Sequence, residues 1–70
     1  MHTYRYRITI SGGLVDTCRE AFGDFKIESN AATTMLTGDL DQAALYGALN
    51  RILSLGFELL QLNRLADGAT

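Results

Sequence analysis

Residues 3–10 alternate without a break. Tyr4, Tyr6, Ile8 and Ile10 share one parity, and Thr3, Arg5, Arg7 and Thr9 share the other. A period of two, built from aromatic and β-branched residues, predicts a strand with one buried face. Such a strand cannot stand alone. Its apolar face needs a covering layer, and its backbone needs neighbouring strands. The rest of the chain has to supply both.

Ser11-Gly12-Gly13 breaks the alternation, and Ser11 can cap a helix running to about Phe22. Leu14, Val15, Cys18, Ala21 and Phe22 recur at helical spacing, and Gly23 is placed to stop the helix in a left-handed turn. Asp24 to Ser29 predicts a second strand with Phe25 and Ile27 inward. Asn30-Ala31-Ala32 is a turn, and Thr33 to Gly38 predicts a third strand antiparallel to the second. Asp39 and Asp41 are both placed to cap the next helix. Its apolar stripe is Leu45, Ala48, Leu49, Ile52 and Leu53. Gly47 lies inside that helix and costs roughly 1 kcal/mol relative to alanine, which predicts a close approach to the sheet. Gly56 ends the helix, and Phe57 to Leu65 predicts a fourth strand.

The order strand, helix, strand, strand, helix, strand predicts an α+β fold, the ferredoxin-like βαββαβ two-layer sandwich. A four-stranded antiparallel sheet would carry both helices on one face, with the first and third strands central. Residues 1–65 form one domain, and residues 66–70 are expected to be a flexible tail. The name of that plan implies no iron–sulfur cluster, which would need several cysteines.

Size now matters. A chain of 70 residues buries only about 60% of the surface that its unfolded form exposes. Domains this small usually carry a disulfide, a metal or a partner chain. A single cysteine, Cys18, excludes an internal disulfide, and with the single histidine, His2, it cannot make a four-ligand zinc site. A partner chain is what remains, and no cofactor is expected. The net charge of −2, without a basic block, argues against nucleic acid. No apolar run reaches the length of a membrane span, and the first residues lack the apolar stretch of a signal peptide. A lone thiol and no export signal make a cytoplasmic location the expectation.

The chemistry-bearing residues are few. If the tyrosines and isoleucines face the helices, Arg5 and Arg7 stand mid-sheet on the open face. Either Thr33, Met35 and Thr37 or Thr34 and Leu36 flank them on the third strand. Leu59, Gln61 and Asn63, or Leu60, Leu62 and Arg64, do so on the fourth. Either choice leaves large apolar side chains on a face that no helix covers, which marks a contact surface. Arg5, Arg7, Met35, Leu59 and Gln61 are its candidate residues. The arginines can also floor a site for an anion. RNA binding through stacked rings is disfavoured, because Tyr4 and Tyr6 share the parity of Ile8 and Ile10 and read as core.

Ser11, Gly12, Gly13 and Leu14 sit where amino-acid-sensing ACT domains turn and hold a carboxylate on backbone N–H groups, although Gly-Gly before a helix is also an ordinary tight turn. Cys18 reads as a buried, inert thiol. Asp16 and Glu20 read as solvated charges. Nothing near Asp39 and Asp41 would bury them for acid–base work. No triad, metal cluster or phosphate loop is visible.

From Leu36 to Leu65 the sequence resembles a group of short actinobacterial proteins. Thr37-Gly38, Asp41-Gln42-Ala43-Ala44-Leu45, Gly47, Leu55-Gly56 and Arg64-Leu65 carry the likeness. It implies a stand-alone module and names no activity. Asp41, Gln42 and Gly47 are more specific than a helix start requires, and can line a site. The leading expectation is therefore a non-catalytic homodimer or accessory subunit that uses the open sheet face. Two alternatives stand beside it: a regulatory domain holding a small carboxylate at residues 11–14, and a small enzyme of the dimeric α+β barrel kind.

Overall fold

The computed structural model describes residues 2–12 and 19–65. Expectations for Gly13, Leu14, Val15, Asp16, Cys18 and the tail 66–70 fall outside those residues. Four strands are present: β1 (Tyr4–Ser11), β2 (Lys26–Ser29), β3 (Thr33–Leu40) and β4 (Leu59–Arg64). A long helix, Gln42–Ser54, joins β3 to β4, and residues 19–21 are helical. The fold is α+β, with helices beside an open, fully antiparallel sheet of order β2-β3-β1-β4. The inner strands are β1 and β3, and the edges are β2 and β4.

The alternation of β1 decides which face is buried. Ile8 and Ile10 are both 0% exposed and pair with Leu36 and Thr34 of β3. Leu45, Ala48 and Ile52 of the helix close over them, together with Phe22. Thr34 is the polar member of this core. Its hydroxyl donates to the Gly12 carbonyl at 2.6 Å, so no buried oxygen is left without a partner there. Tyr6 packs against the cluster while half-buried. Tyr4 is also half-buried but stands at the rim, where the expected core ends.

Turn chemistry follows the residue types. The Asn30 side-chain oxygen accepts from the N–H groups of Ala32 and Thr33, both at 2.9 Å, and closes the β2–β3 hairpin. At the end of the long helix Gly56 takes φ +83°. Its N–H donates to Leu53 at 3.1 Å, and that of Phe57 donates to Ile52 at 3.1 Å. This double closure is the Schellman arrangement, which needs a left-handed residue at that point. Gly23 is different: it does not take positive φ, so the first helical segment ends without the expected left-handed turn. A tight bond from Phe25 N–H to the Phe22 carbonyl, 3.0 Å, turns the chain instead. Phe25 consequently precedes β2 rather than lying in it, yet still packs on the core.

Of the two candidate caps only Asp41 caps. Its carboxylate accepts from Ala44 N–H at 2.8 Å. Asp39 belongs to β3, which runs two residues further than the sequence predicts because Tyr4 and Arg5 keep pairing with Leu40 and Asp39. Asp41→Ala should therefore lower stability by about 1 kcal/mol, read as a shift in urea midpoint at constant slope, whereas Asp39→Ala should not unseat the helix.

Candidate functional site

The open face is built by register. Arg7 lies opposite Thr37 on β3 and opposite Asn63 on β4, and Thr37 lies opposite Lys26 on β2. The next row is Glu28, Met35, Thr9 and Gln61. Arg5 pairs with Asp39, Nε to Oδ1 3.1 Å, with both side chains about half exposed. An exposed pair of this kind contributes little to stability. Of the candidate contact residues, Arg5, Arg7, Met35 and Gln61 thus share this face.

The expected large apolar side chains there reduce to Met35 and Leu65, both half-buried, among residues that are otherwise polar or charged. A groove of about 540 Å³ crosses this surface, lined by Arg5, Arg7 and Lys26 but equally by Asp24, Glu28 and Asp39. The charges balance, so the floor does not favour an anion.

Leu59 leaves the set for a covalent-geometry reason. The β1–β4 register shifts between Thr9 and Ile10, so Thr9 faces Gln61 while Ile10 faces Leu59. One extra residue, Leu60, is taken up at this bulge. Residues below and above it therefore exchange parity, and Leu59 sits opposite a core residue.

The apolar side chains left in water are elsewhere. Leu59, Leu60 and Leu62 of β4 are 38%, 48% and 38% exposed, and Leu53 and Leu55 at the helix end are 65% and 47% exposed. Leu53 was expected in the helix stripe, but only Leu45, Ala48 and Ile52 of that stripe are buried. All five leucines belong to one stretch that leaves the helix and becomes an edge strand. An edge strand already presents unpaired backbone groups, and natural edges are normally guarded by charge. From Leu59 to Leu62 this one carries no charge at all.

Of the candidate cradle, Ser11 and Gly12 are among the described residues. Ser11 N–H donates to the Glu58 carbonyl at 3.0 Å, and Gly12 N–H donates to the Ala32 carbonyl at 2.8 Å with Gly12 at φ +88°. Those two N–H groups are spent on the sheet and the neighbouring turn. Asp39 and Asp41 do not form an acid–base pair, since one binds Arg5 and the other caps the helix. Among the described residues no three His, Cys, Asp or Glu side chains group as metal ligands. No helix among them is long and apolar enough to cross a membrane.

Gly47 does not serve a close approach, because a Cβ added there meets nothing within 4 Å. It lines a cavity of about 260 Å³ together with Phe25, Gly38, Ala44, Ala48 and Arg51. Gly47→Ala should accordingly stabilise the protein by about 1 kcal/mol, seen as a higher urea midpoint. Gly38 is the tight one: a Cβ there would lie 3.1 Å from the Phe25 ring.

One constellation has no counterpart in the sequence-based expectations. His2, Tyr4, Tyr6, Gln42 and Arg64 gather at the corner where β1 begins and β4 ends. The sequence carries no signal for it, because only the pairing of β1 with β4 brings Arg64 to the start of β1.

A family model described as a domain of unknown function, DUF8691, matches residues 5–63, so the chain belongs to that family. No curated protein and no solved structure matches.

Proposed function

We propose that this member of the DUF8691 family is a non-catalytic interaction module that works as a homodimer, joined along β4. The antiparallel order β2-β3-β1-β4 supports reading it as a ferredoxin-like βαββαβ sandwich, in which the β1-to-β2 link carries the helical residues 19–21. The likeness to short actinobacterial proteins supports a stand-alone role, and the lone thiol, Cys18, supports a cytoplasmic one.

The carrying observation is the uncharged, leucine-lined stretch Leu59–Leu62 on the edge strand β4. Its fit to a second copy comes from self-complementarity. Two β4 strands laid antiparallel about a twofold axis at Gln61 set each Leu60 against the partner's Leu62, twice over. The bulge keeps the shared ladder short, so leucine burial and not hydrogen bonding supplies most of the association energy. The need is supplied by the core. Among the described residues seven apolar side chains form the buried core, and no group of metal ligands adds to them; the single cysteine excludes an internal disulfide.

The placement of Arg5, Arg7, Met35 and Gln61 on a polar, charge-balanced face supports moving the contact from that face to the edge. The barrel-enzyme alternative needs a titratable group enclosed beneath two sheets. Among the described residues Thr34 is the one buried polar side chain, and it lies on the helix side.

Engineered disulfides separate the two surfaces. In a Cys18→Ser background, Gln61→Cys should oxidise to a covalent dimer within minutes to hours, because a strand pair about that axis brings the two α-carbons within disulfide range. Arg7→Cys should stay monomeric on a denaturing gel. A fast cross-link at Arg7 with none at Gln61 would place the contact on the open face and refute the edge.

A further inference from the structure

We infer that the corner formed by His2, Tyr4, Tyr6, Gln42 and Arg64 is a binding site for a small planar acid, a carboxylate carried on an aromatic ring. The cleft measures about 470 Å³, inside the range of small-molecule sites. Its walls are rings in sequence along β1. The centroids of His2 and Tyr4 lie 6.0 Å apart, and those of Tyr4 and Tyr6 lie 6.5 Å apart at 79°. Alternation explains the row, since residues two apart on a strand share a face. Nothing in the helix stripe covers it, because the helix begins only at Gln42.

Among the described residues of a single subunit the charge at this corner is not cancelled. The Arg64 guanidinium lies 4.4 Å from the Tyr4 centroid. A cation over a ring face uses none of its N–H donors in that contact, and a guanidinium can receive a carboxylate in two parallel bonds. Among the described residues Arg64 has no ion-pair partner, and none of the described residues lining the cleft is a carboxylate. The open-face groove, by contrast, matches each cation with an acid.

Gln42 adds a wall. Its Nε2 donates to the Tyr46 hydroxyl at 3.0 Å, which holds the side chain where it lines the cleft. A ring lying along Tyr4 and Tyr6 and a carboxylate on Arg64 would use the apolar and the ionic halves together. Edge or offset stacking on tyrosine adds to the area buried.

The test is a titration of the full chain followed by amide and side-chain nuclear magnetic resonance shifts. Benzoate should give saturable shifts at Tyr4, Tyr6, Gln42 and Arg64 at roughly millimolar concentrations or below. Benzamide has the ring without the charge, and acetate has the charge without the ring. Each should bind about tenfold more weakly or worse. Arg64→Gln should lose benzoate binding by a similar factor. Arg64→Lys, which keeps charge but not the planar fork, should recover only part of it. A dispersed spectrum confirms that each variant is folded, and Arg7→Gln on the far face should bind as the wild type does. Absence of saturable shifts, equal binding of benzamide, or an unchanged affinity in Arg64→Gln would each overturn the site. Shifts confined to the open-face arginines would do so as well. A chain that dimerises yet ignores benzoate overturns this inference and leaves the edge contact standing.

Discussion

Leu60→Lys should turn the protein into a monomer without unfolding it. Leu60 is 48% exposed in the single chain, so a lysine there finds water and costs the lone subunit no more than about 0.5 kcal/mol. In the proposed assembly the same side chain lies against the partner's Leu62. A charge placed there loses the apolar contact and is desolvated beside a leucine, twice per dimer because the axis repeats every contact. A central interface residue typically costs about 2 kcal/mol or more on truncation, and two copies per dimer raise the dissociation constant about a thousandfold. Sedimentation velocity on wild type and variant reads the difference directly. Arg7→Glu serves as the comparison. It reverses a charge on the open sheet face and should leave the mass unchanged. If Arg7→Glu dissociates the protein and Leu60→Lys does not, the contact lies on the open face.

The second large effect concerns the single subunit. Phe22→Ala should remove about a third or more of the protein's stability. The Phe22 side chain is 1% exposed, meets Phe25 edge-to-face at 5.7 Å and 86°, and carries the Arg51 guanidinium 5.5 Å from its ring. Arg51 is itself tied to the Ala21 carbonyl at 2.6 Å, so one ring organises the meeting of the two helical segments. Emptying such a site costs about 3–5 kcal/mol. A domain of 70 residues has about 4–10 kcal/mol in total at typical values per residue. Circular dichroism with urea should show a midpoint lowered by at least about a third. Leu53→Ala, on a side chain 65% exposed, should stay within about 0.5 kcal/mol of wild type. A Phe22→Ala variant as stable as that control would contradict the core described here.

How far the sequence carried can be judged element by element. Ile8 and Ile10 were legible because a strand has only two faces, and one of them carried arginine. Gly56 was legible because a left-handed helix end excludes nearly every other residue. Asp39 was not, since two acids near a helix start look alike until the partner strand is known. Pairing of β1 with β3 through Leu40 is a tertiary fact, and it turned one of them into an arginine partner.

Leu59 and Leu60 were illegible for a related reason. A bulge adds a residue without a sequence mark and reverses the parity of what precedes it. Parity alone therefore offered two faces for β4, and the strand uses parts of both. Leu53 obeys helical spacing perfectly, yet spacing does not say how wide the sheet beneath is. Gly47 was assigned a close contact on general grounds, and the space around its missing side chain shows otherwise. The Arg64 corner combines the first strand's start with the last strand's end, 60 positions away in the chain from Tyr4 to Arg64, a proximity that only the β1–β4 pairing creates.

The most direct measurement is sedimentation equilibrium of the wild-type chain at low micromolar concentration. The β4 contact predicts a mass twice the 7.7 kDa of one chain, falling toward the single value on dilution. It also predicts a melting temperature that rises with protein concentration, as association stabilises the folded form by mass action. A well-folded species of 7.7 kDa throughout, melting at one temperature whatever the concentration, would contradict it.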